Sequence, residues 1–361
     1  MGCSWCSNAS ENNNIFDFPK VNERDENEIS PDYFFNLIPT EIFNEMKKEK
    51  FKNSNNNADL KTIRIINYDN SFEDFNDTIK EILYRGDFNK GIKDGIGKMI
   101  IIKENEKLFY HGIWENDRLI KGKIYYEDGS TYFGDIKNYK RDGNGNFKSE
   151  TEEYEGEWKN DKKNGEGTLT FSDKTKYIGN FKENKFDGKG TMNWKDGFSY
   201  EGYFKNNFLH GKGYLRGKNN HIYDGYFQNG KFHGEGTFKW INRESATEYY
   251  KGNYSSGQKD GKGEFHFGNG HIYSGLWKSG EPDGEGVYET QSRKYHGNWR
   301  SGIFMQLIEV EEKDNVKEEN LNLTFKVPVE DIFVTDHIST SINTSTSIKS
   351  SNVNPFVTYL K

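Results

Sequence analysis

The sequence predicts an all-β protein in which antiparallel β-hairpins stack into one single-layer twisted sheet, with short mixed or helical segments at its ends. A pattern of tyrosine, glycine and a second aromatic residue recurs at regular intervals, glycine pairs follow most copies, and polar turn residues separate them. Hydrophobic residues make up only 32% of the chain and aromatic residues 16%, while glycine is abundant at 38 residues. This composition is typical of a thin structure stabilised by aromatic contacts rather than of a globule with an aliphatic core.

The repeated unit is Tyr-x-Gly-x-aromatic. Seven of the nine intervals between successive units are 22 or 23 residues, and Gly-x-Gly follows in eight of the ten units. The units begin at Tyr84, Tyr110, Tyr132, Tyr154, Tyr177, Tyr200, Tyr223, Tyr250, Tyr273 and Tyr295. Ten copies in register are not accidental, so internal repetition decides the fold.

Each unit is predicted to form two strands joined by a polar turn. Side chains alternate across a strand, so Tyr154, Gly156 and Trp158 share one face and the residues between them share the other. Dipeptides that favour tight hairpin turns, such as Asp128-Gly129, lie between units. A glycine between two aromatic residues leaves room for a neighbouring ring, which predicts that hairpins stack through aromatic contacts.

The aromatic face of the sheet is also the candidate face for binding a protein partner. The candidate binding residues are Tyr154, Trp158, Tyr177, Phe181, Tyr200, Phe204, Tyr223, Phe227, Tyr273 and Trp277. A second candidate surface is a group of basic residues at the turns along one rim, where anionic phosphoinositide head groups would bind. This group contains Lys140, Arg141, Lys159, Lys162 and Lys163. Acidic neighbours such as Asp142 and Asp161 dilute its charge, which favours ordinary solvated turns instead.

An Asp, Asn or His residue precedes most of the Gly-x-Gly pairs. These residues are Asp94, Asp142, Asn164, Asp187, His210, His233, Asp260 and Asp283. A row of metal ligands or catalytic groups is one interpretation. The favoured interpretation is a role in forming turns, because Asx and His side chains tolerate unusual turn dihedrals. No metal site is predicted.

The repeats from Tyr154, Tyr177, Tyr200 and Tyr273 closely resemble the MORN (membrane occupation and recognition nexus) repeat, Tyr-x-Gly-x-Trp followed by a polar turn and Gly-x-Gly. The resemblance covers residues 84–302. It implies an elongated half-pipe of stacked hairpins without a closed core. Some relatives of this family fuse the repeats to a lipid-kinase or methyltransferase domain, and the 59 residues after Gly302 are expected to be too few for either.

The chain departs from the repeat pattern at several places. In the unit at Tyr110, Gly122 is assigned as the first glycine and Ile124 occupies the place of the second. Ile136 replaces the second aromatic residue of the unit at Tyr132, and an insertion at Ile241–Glu248 is expected to bulge from one edge. The last unit, Tyr295–Gly302, is expected to lack a second strand and to cap the array.

The N-terminus predicts lipid attachment at Gly2, Cys3 and Cys6. Glycine directly after the initiator methionine is required for N-myristoylation, although Cys6 stands where Ser or Thr is usual. The arrangement resembles the dually acylated N-termini of some Src-type kinases. One myristoyl chain binds membranes with only about 10⁴ M⁻¹, and a second acyl chain makes the anchor stable. A redox or zinc pair, or no modification, are the alternatives for these cysteines.

Five regions are expected along the chain. Residues 1–30 form a lipid-anchor N-terminus and flexible linker, and residues 31–83 a cap with a helix at Thr40–Phe51 and a strand at Leu60–Tyr68. Residues 84–302 form the repeat array. Residues 303–336 form a C-terminal cap with strands at Leu307–Val310 and Leu323–Val329, and residues 337–361 a Ser/Thr-rich tail.

Charge and motifs exclude several classes of function. The net charge of −7 and pI near 5.8 argue against a nucleic-acid partner, which needs a basic face. Gly225–Lys231 matches part of a phosphate-binding loop, but Phe232 replaces the required Ser or Thr and no helix follows within a hairpin repeat. No catalytic residue and no cofactor are therefore predicted.

The sequence thus predicts a non-enzymatic, membrane-associated scaffold that binds protein partners, including those of the cortical cytoskeleton. Its expected location is the cytoplasmic face of the plasma membrane or the cell cortex. The alternatives are a phosphoinositide-binding membrane module and a regulatory subunit of an enzyme supplied in trans. Homodimerisation through terminal repeats is a further expectation.

Overall fold

A computed structural model describes residues 39–40, 61–66 and 79–312, apart from residues 105, 218, 220 and 242–247. The elements assigned between Lys61 and Glu312 are all β-strands. The chain divides into two compact units. The first contains the residues up to 149 together with 159–161, and the second contains residues 150–158 and those from 162 onwards.

The first unit is an open antiparallel sheet in which every strand pairs with the next one along the chain. Its strands are β1 (Lys61–Ile66), β2 (Ile79–Asn89), β3 (Ile92–Lys103), β4 (Lys107–Glu115), β5 (Arg118–Tyr125), β6 (Thr131–Lys137) and β7 (Lys140–Lys148). The predicted strand before the first repeat is therefore present as β1. Its side chains lie outside the described residues, as does most of the predicted helix at Thr40–Phe51.

The second unit continues the same hairpin pattern. Its strands are β8 (Glu152–Lys159), β9 (Lys162–Phe171), β10 (Lys176–Lys182), β11 (Lys185–Asn193), β12 (Ser199–Lys205), β13 (Phe208–Arg216), β14 (Ile222–Gln228), β15 (Lys231–Trp240), β16 (Glu248–Ser255), β17 (Gln258–His266), β18 (Ile272–Lys278), β19 (Glu281–Glu289), β20 (Arg293–Arg300) and β21 (Ile303–Glu312). From β9 to β21 each strand pairs antiparallel with the next. The predicted all-β fold of consecutive antiparallel hairpins is confirmed.

The turns within hairpins have positive φ angles at both central residues. Between β12 and β13, Asn206 and Asn207 have φ angles of 49° and 72°. This is the requirement of a type I′ turn, whose twist matches that of the flanking strands. The side chain of Asn207 also accepts a hydrogen bond from the backbone N–H of Phe186 in the preceding hairpin, at 2.7 Å. Adjacent turns are therefore joined directly.

The repeat tyrosine lies over a pair of glycines on adjacent strands. A Cβ atom built on Gly202 or Gly213 would lie 2.4 or 2.3 Å from the hydroxyl oxygen of Tyr200, closer than real Cβ contacts allow. The same hydroxyl donates a hydrogen bond to the carbonyl oxygen of Tyr203 at 2.9 Å. The glycine pair thus makes the space for the ring, and the polar end of the ring is satisfied within its own strand.

Successive hairpins of the second unit are joined by edge-to-face ring contacts. Tyr200 packs against Phe227 of the following hairpin with ring centroids 5.2 Å apart and an interplanar angle of 88°. Tyr250 packs against Trp277 in the same way at 5.0 Å and 79°. Such pairs contribute about 1 kcal/mol each beyond their burial, so stacking of neighbours supplies the cohesion of the array.

One core position accepts either an apolar side chain or a cation. This position lies opposite the second aromatic residue of the unit. In the hairpin of β14 and β15 it is Phe232, whose ring centre lies 3.8 Å from that of Tyr223. In the next hairpin the same position is Lys259. Lys259 is only 1% exposed, and its Nζ lies 5.1 Å from the ring centre of Trp240 and 5.7 Å from that of Trp277. Cation–π attraction lets the ammonium replace a ring here.

The unit at Tyr110 requires a correction. The second glycine of its pair is present, because Gly122 pairs with Gly112 as Gly213 pairs with Gly202. Ile124 is therefore not a replaced glycine; it lies opposite the repeat tyrosine, Tyr110. In regular units the first glycine of Gly-x-Gly lies in a β-bulge. The hairpin at Tyr110 has one residue fewer between its turn and Gly122, so its bulge is one residue shorter.

The unit at Tyr132 compensates for Ile136 with a ring from the turn. Tyr139, at a central turn position with a φ of 59°, lies 5.9 Å from Tyr110 at an interplanar angle of 76°. Tyr139 thus provides the contact that the second aromatic residue makes in regular units. The sequence pattern misses it because it stands three positions later in the chain.

The expectation that the last unit lacks a second strand was wrong. Ser301 and Gly302 have φ angles of 47° and 76°, so the chain turns back and β21 pairs with β20 along its length. β21 lacks Gly-x-Gly, which is why the pattern ends before it. The predicted strand at Leu307–Val310 is confirmed as part of β21, whereas Leu323–Val329 and the tail lie outside the described residues.

We predict that Gly213→Ala destabilises the protein more than Gly197→Ala. The added methyl group at Gly213 meets the Tyr200 ring and should lower the free energy of unfolding by about 3 kcal/mol. Gly197 has a φ of 93° and nothing within 4 Å of its Cβ position, so its substitution should cost about 1 kcal/mol of backbone strain. Urea unfolding followed by circular dichroism measures both. Equal losses would contradict the proposed tyrosine–glycine contact.

Candidate binding surface

The ten rings predicted as the binding face lie in the core of the second unit. Each is 4% exposed or less. They are Tyr154, Trp158, Tyr177, Phe181, Tyr200, Phe204, Tyr223, Phe227, Tyr273 and Trp277. In the folded chain their ring faces contact one another and leave no surface for a partner. The interpretation of this face as a contact surface is therefore corrected: the regular aromatic face is the packing face.

Burial also raises the pKa of tyrosine hydroxyls in the core. Burial raises the pKa of the Tyr200 hydroxyl well above its ordinary value. Burial, with a smaller contribution from nearby Tyr295, raises the pKa of Tyr288 to about 12. The folded state therefore holds these hydroxyls in the neutral form.

We predict alkaline unfolding that is coupled to tyrosine ionisation. A pKa that is higher in the folded than in the unfolded chain contributes stability below the unfolded value of about 10, and this stability is lost as the pH rises above it. Tyrosinate absorbance and circular dichroism should therefore change together above about pH 10. Ionisation of all tyrosines near pH 10 with unchanged circular dichroism would contradict the prediction; the protein unfolded in urea provides the reference titration.

The opposite face of the second unit contains a groove of two adjoining hollows. Their volumes are about 970 and 920 Å³, and both are lined by Lys212 and Asp224. Backbone of the glycine pairs, such as Gly202 with Gly213, forms part of the lining. The core rings occupy the other face, and side chains on the groove face contact backbone of their own hairpin, as Asn253 does by donating a hydrogen bond to the carbonyl oxygen of Lys262.

Large apolar side chains stand exposed along this groove. They are Ile178, Tyr203, Tyr214, Tyr226 and Leu276, with exposures between 38% and 49%. We call these five residues the groove surface. Tyrosine supplies a large amphipathic contact area at a low cost in conformational entropy, and it is enriched at protein interfaces. The groove surface is therefore the candidate binding site of this unit.

Charged residues surround the groove surface in a mixed pattern. The Nζ atom of Lys189 lies 5.6 Å from the ring centre of Tyr203, and Lys212 stands opposite Tyr226 in the pairing of β13 with β14. Four lysines and seven carboxylate side chains line the two hollows. The excess of negative charge disfavours nucleic acid and anionic lipid as occupants. It fits a polypeptide that presents apolar and basic side chains.

Alternation along the strand could have located this site from sequence. Tyr203 lies between Gly202 and Phe204, and Tyr226 lies between Gly225 and Phe227, so both point away from the repeat tyrosines. Nothing in the repeat pattern demands tyrosine at these positions. The periodic pattern identifies the core rings alone, and these lie on the other face of the sheet.

The predicted basic cluster is largely neutralised or buried. In the first unit, Arg141 pairs with Asp161 at 3.2 Å and Lys159 approaches Asp142 at 3.4 Å. In the second unit, Lys162 pairs with Glu183 at 3.0 Å. There too, Lys163 is 9% exposed and pairs with Glu152 at 2.6 Å. Little positive charge remains for anionic head groups.

The Asx residues before Gly-x-Gly bind backbone groups of the next turn. Asp187 accepts a hydrogen bond from the backbone N–H of Asn206, and Asp283 accepts one from that of Ser301, both at 3.2 Å. These contacts support the turn-forming interpretation. Among the described residues, no group of three or more His, Cys, Asp or Glu side chains is placed to hold a metal ion.

Two further sequence predictions concern regions beyond the described residues. Gly2, Cys3 and Cys6 lie in the N-terminal part that the structure leaves undescribed, and so does most of the insertion at Ile241–Glu248. In the part that it describes, no helical segment is long and apolar enough to cross a lipid bilayer.

Comparison with protein families detects seven MORN repeats. The model of this repeat matches residues 84–101, 154–176, 177–198, 200–222, 223–244, 250–272 and 273–292. The hairpins that begin at Tyr110, Tyr132 and Tyr295 are not matched, and these are the units that depart from the pattern or lack Gly-x-Gly. Comparison with curated proteins finds no match.

Proposed function

Because the chain carries seven MORN repeats, we propose that it is a non-enzymatic scaffold, tethered to a membrane, that binds protein partners through the groove surface. MORN repeats commonly mediate membrane or protein association, and the family is typically non-catalytic. The resemblance of residues 225–231 to a phosphate-binding loop does not extend to the fold, because β14 and β15 form a hairpin there.

The exposed tyrosines of the groove carry the proposal. Tyr203 and Tyr226 are 45% and 49% exposed, whereas the repeat tyrosines of the same strands, Tyr200 and Tyr223, are buried. A partner that covers these two rings would bury apolar surface, which favours binding, without disturbing the hairpin stack. Interfaces built on such anchors with a mixed polar surround are typical of protein partners.

The membrane tether rests on the N-terminal residues. Gly2 is the proposed myristoylation site, and Cys3 and Cys6 are the proposed palmitoylation sites, since two acyl chains are needed for stable anchoring. The groove would then face partners at the cytoplasmic side of a membrane, at the plasma membrane or cell cortex. Proteins of the cortical cytoskeleton fit this location.

We predict that Gly2→Ala moves the protein from the membrane to the soluble fraction. Loss of the amino-terminal glycine removes the myristoyl chain, which is the chain expected to bring Cys3 and Cys6 to the membrane for palmitoylation, so no stable anchor should form. Fractionation of cells that express the full chain measures the change, with Asn8→Ala as the matched control in the same segment. Unchanged membrane association of the Gly2 variant would rule out this tether.

We predict that the double substitution Tyr203→Ser and Tyr226→Ser lowers partner binding without lowering stability. A photo-crosslinking residue at position 214 should give a discrete protein adduct in cells, and the double variant should reduce its yield by about tenfold, since two interface anchors are lost. The matched control is Phe208→Ser, which removes a ring that is 46% exposed outside the groove.

Three outcomes of this experiment would contradict the proposed site. They are an adduct unchanged by the double variant, an equal loss with Phe208→Ser, or lipid adducts alone. The identity of a genuine adduct also tests the alternatives, because a catalytic partner would indicate a regulatory subunit. Direct lipid recognition by the repeats is disfavoured by the ion pairs of the basic cluster.

A further inference from the structure

Strand β21 is unusual among the strands of the second unit because it exposes apolar side chains along its whole length. Five of its residues are between 38% and 59% exposed. They are Ile303, Met305, Leu307, Ile308 and Val310. Within the described residues β21 pairs only with β20, so its other edge presents unpaired backbone groups. A long apolar edge strand of this kind is a template for strand addition.

The register of β21 matches that of strands which are covered by a following strand. Val310 lies opposite Tyr295, the place that Phe238, Phe265 and Tyr288 take opposite the repeat tyrosines of earlier hairpins. Those three side chains are 0%, 0% and 6% exposed, and the first strand of the next hairpin covers each of them. Val310 is 38% exposed because no described strand follows β21.

The chain beyond β21 contains a segment that fits this place. Residues 321–329 read Leu-Asn-Leu-Thr-Phe-Lys-Val-Pro-Val, with an apolar side chain at every second position. Such alternation is expected of a strand with one face against a core and the other in water. Eight residues, 313–320, connect the segment to β21. The array already contains a seven-residue connection, 241–247, between two paired strands, β15 and β16.

Pro328 gives the segment a property suited to the end of a sheet. Proline has no backbone N–H, so within sheets it occurs on edge strands, where it opposes the addition of a further strand. A second copy of β21 could also pair with this edge, but only through association of two chains. The segment at 321–329 is held close to the edge by its short connection.

We propose that residues 321–329 add antiparallel to β21 and close the C-terminal edge of the array within the same chain. Leu323, Phe325 and Val327 then lie on the side of the sheet that carries Tyr295 and Val310. The segment substitutes for the first strand of an eleventh hairpin. It ends the sheet and keeps the exposed edge from pairing with other chains.

Hydrogen exchange of the full chain tests this proposal. The amides of β21 that do not bond to β20 should be protected, at low and high protein concentration alike. Phe325→Asp places a charge on the apolar face of the segment and should accelerate the exchange of these amides by about tenfold or more. Val327→Asp should act in the same way. Thr324→Asp introduces the same charge on the opposite face and should have little effect.

Exchange of the amides in β18 and β19 shows whether the variants remain folded. Three results would overturn the proposal. One is exchange of the outward β21 amides at unprotected rates in the unmodified chain. The second is protection that appears only at high concentration, which would identify a second copy as the occupant. The third is protection that persists in both the Phe325 and the Val327 variants.

Discussion

The contact on which the array depends is a tyrosine ring lying flat against two glycines. The clearance is so small that even a methyl group on Gly213 would meet the ring of Tyr200. The hydroxyl of Tyr200 is bound to a carbonyl oxygen three residues away, so the ring is fixed at both ends. Because all of these groups lie within one hairpin, each unit can form its own core and needs only the neighbouring ring to complete it.

Because of this contact, the two faces of the sheet have different roles. On one face every position is committed to packing, and a changed side chain must be compensated nearby, as Tyr139 compensates for Ile136. On the other face side chains vary from carboxylates such as Asp87 and Asp135, which accept backbone hydrogen bonds of their own hairpin, to exposed rings. Tyr203 and Tyr226 lie on this face beside Gly211 and Gly234 and keep nearly half of their surface exposed, which is why they carry the proposed site. A repeat of this kind can vary its recognition surface without changing its fold.

The sequence predicted the elements of the fold because the two-residue alternation and the 22- to 23-residue interval are local signals. It failed where local signals were absent. The register at Gly122 depends on a bulge that is one residue shorter, and the pairing of β21 depends on a turn at Ser301 rather than on a glycine pair. The site was missed for another reason: periodicity identifies the residues that pack, and a binding surface need not be periodic.

The substitution of cations for rings in the core shows how loosely the rest of the pattern is constrained. Lys259 occupies a position that Phe232 fills one hairpin earlier, and the surrounding rings stabilise either side chain. The tyrosine–glycine contact is exchanged only in irregular units: a Cβ atom built on Gly297 would meet the ring of Phe304, and one built on Gly112 would approach the side chain of Leu119. Hairpins can therefore diverge widely yet continue to stack, and the stack contains no internal signal to stop. An end must be supplied by strands that lack the repeat, and β21, which has no glycine pair and two register shifts against β20, is the first of them.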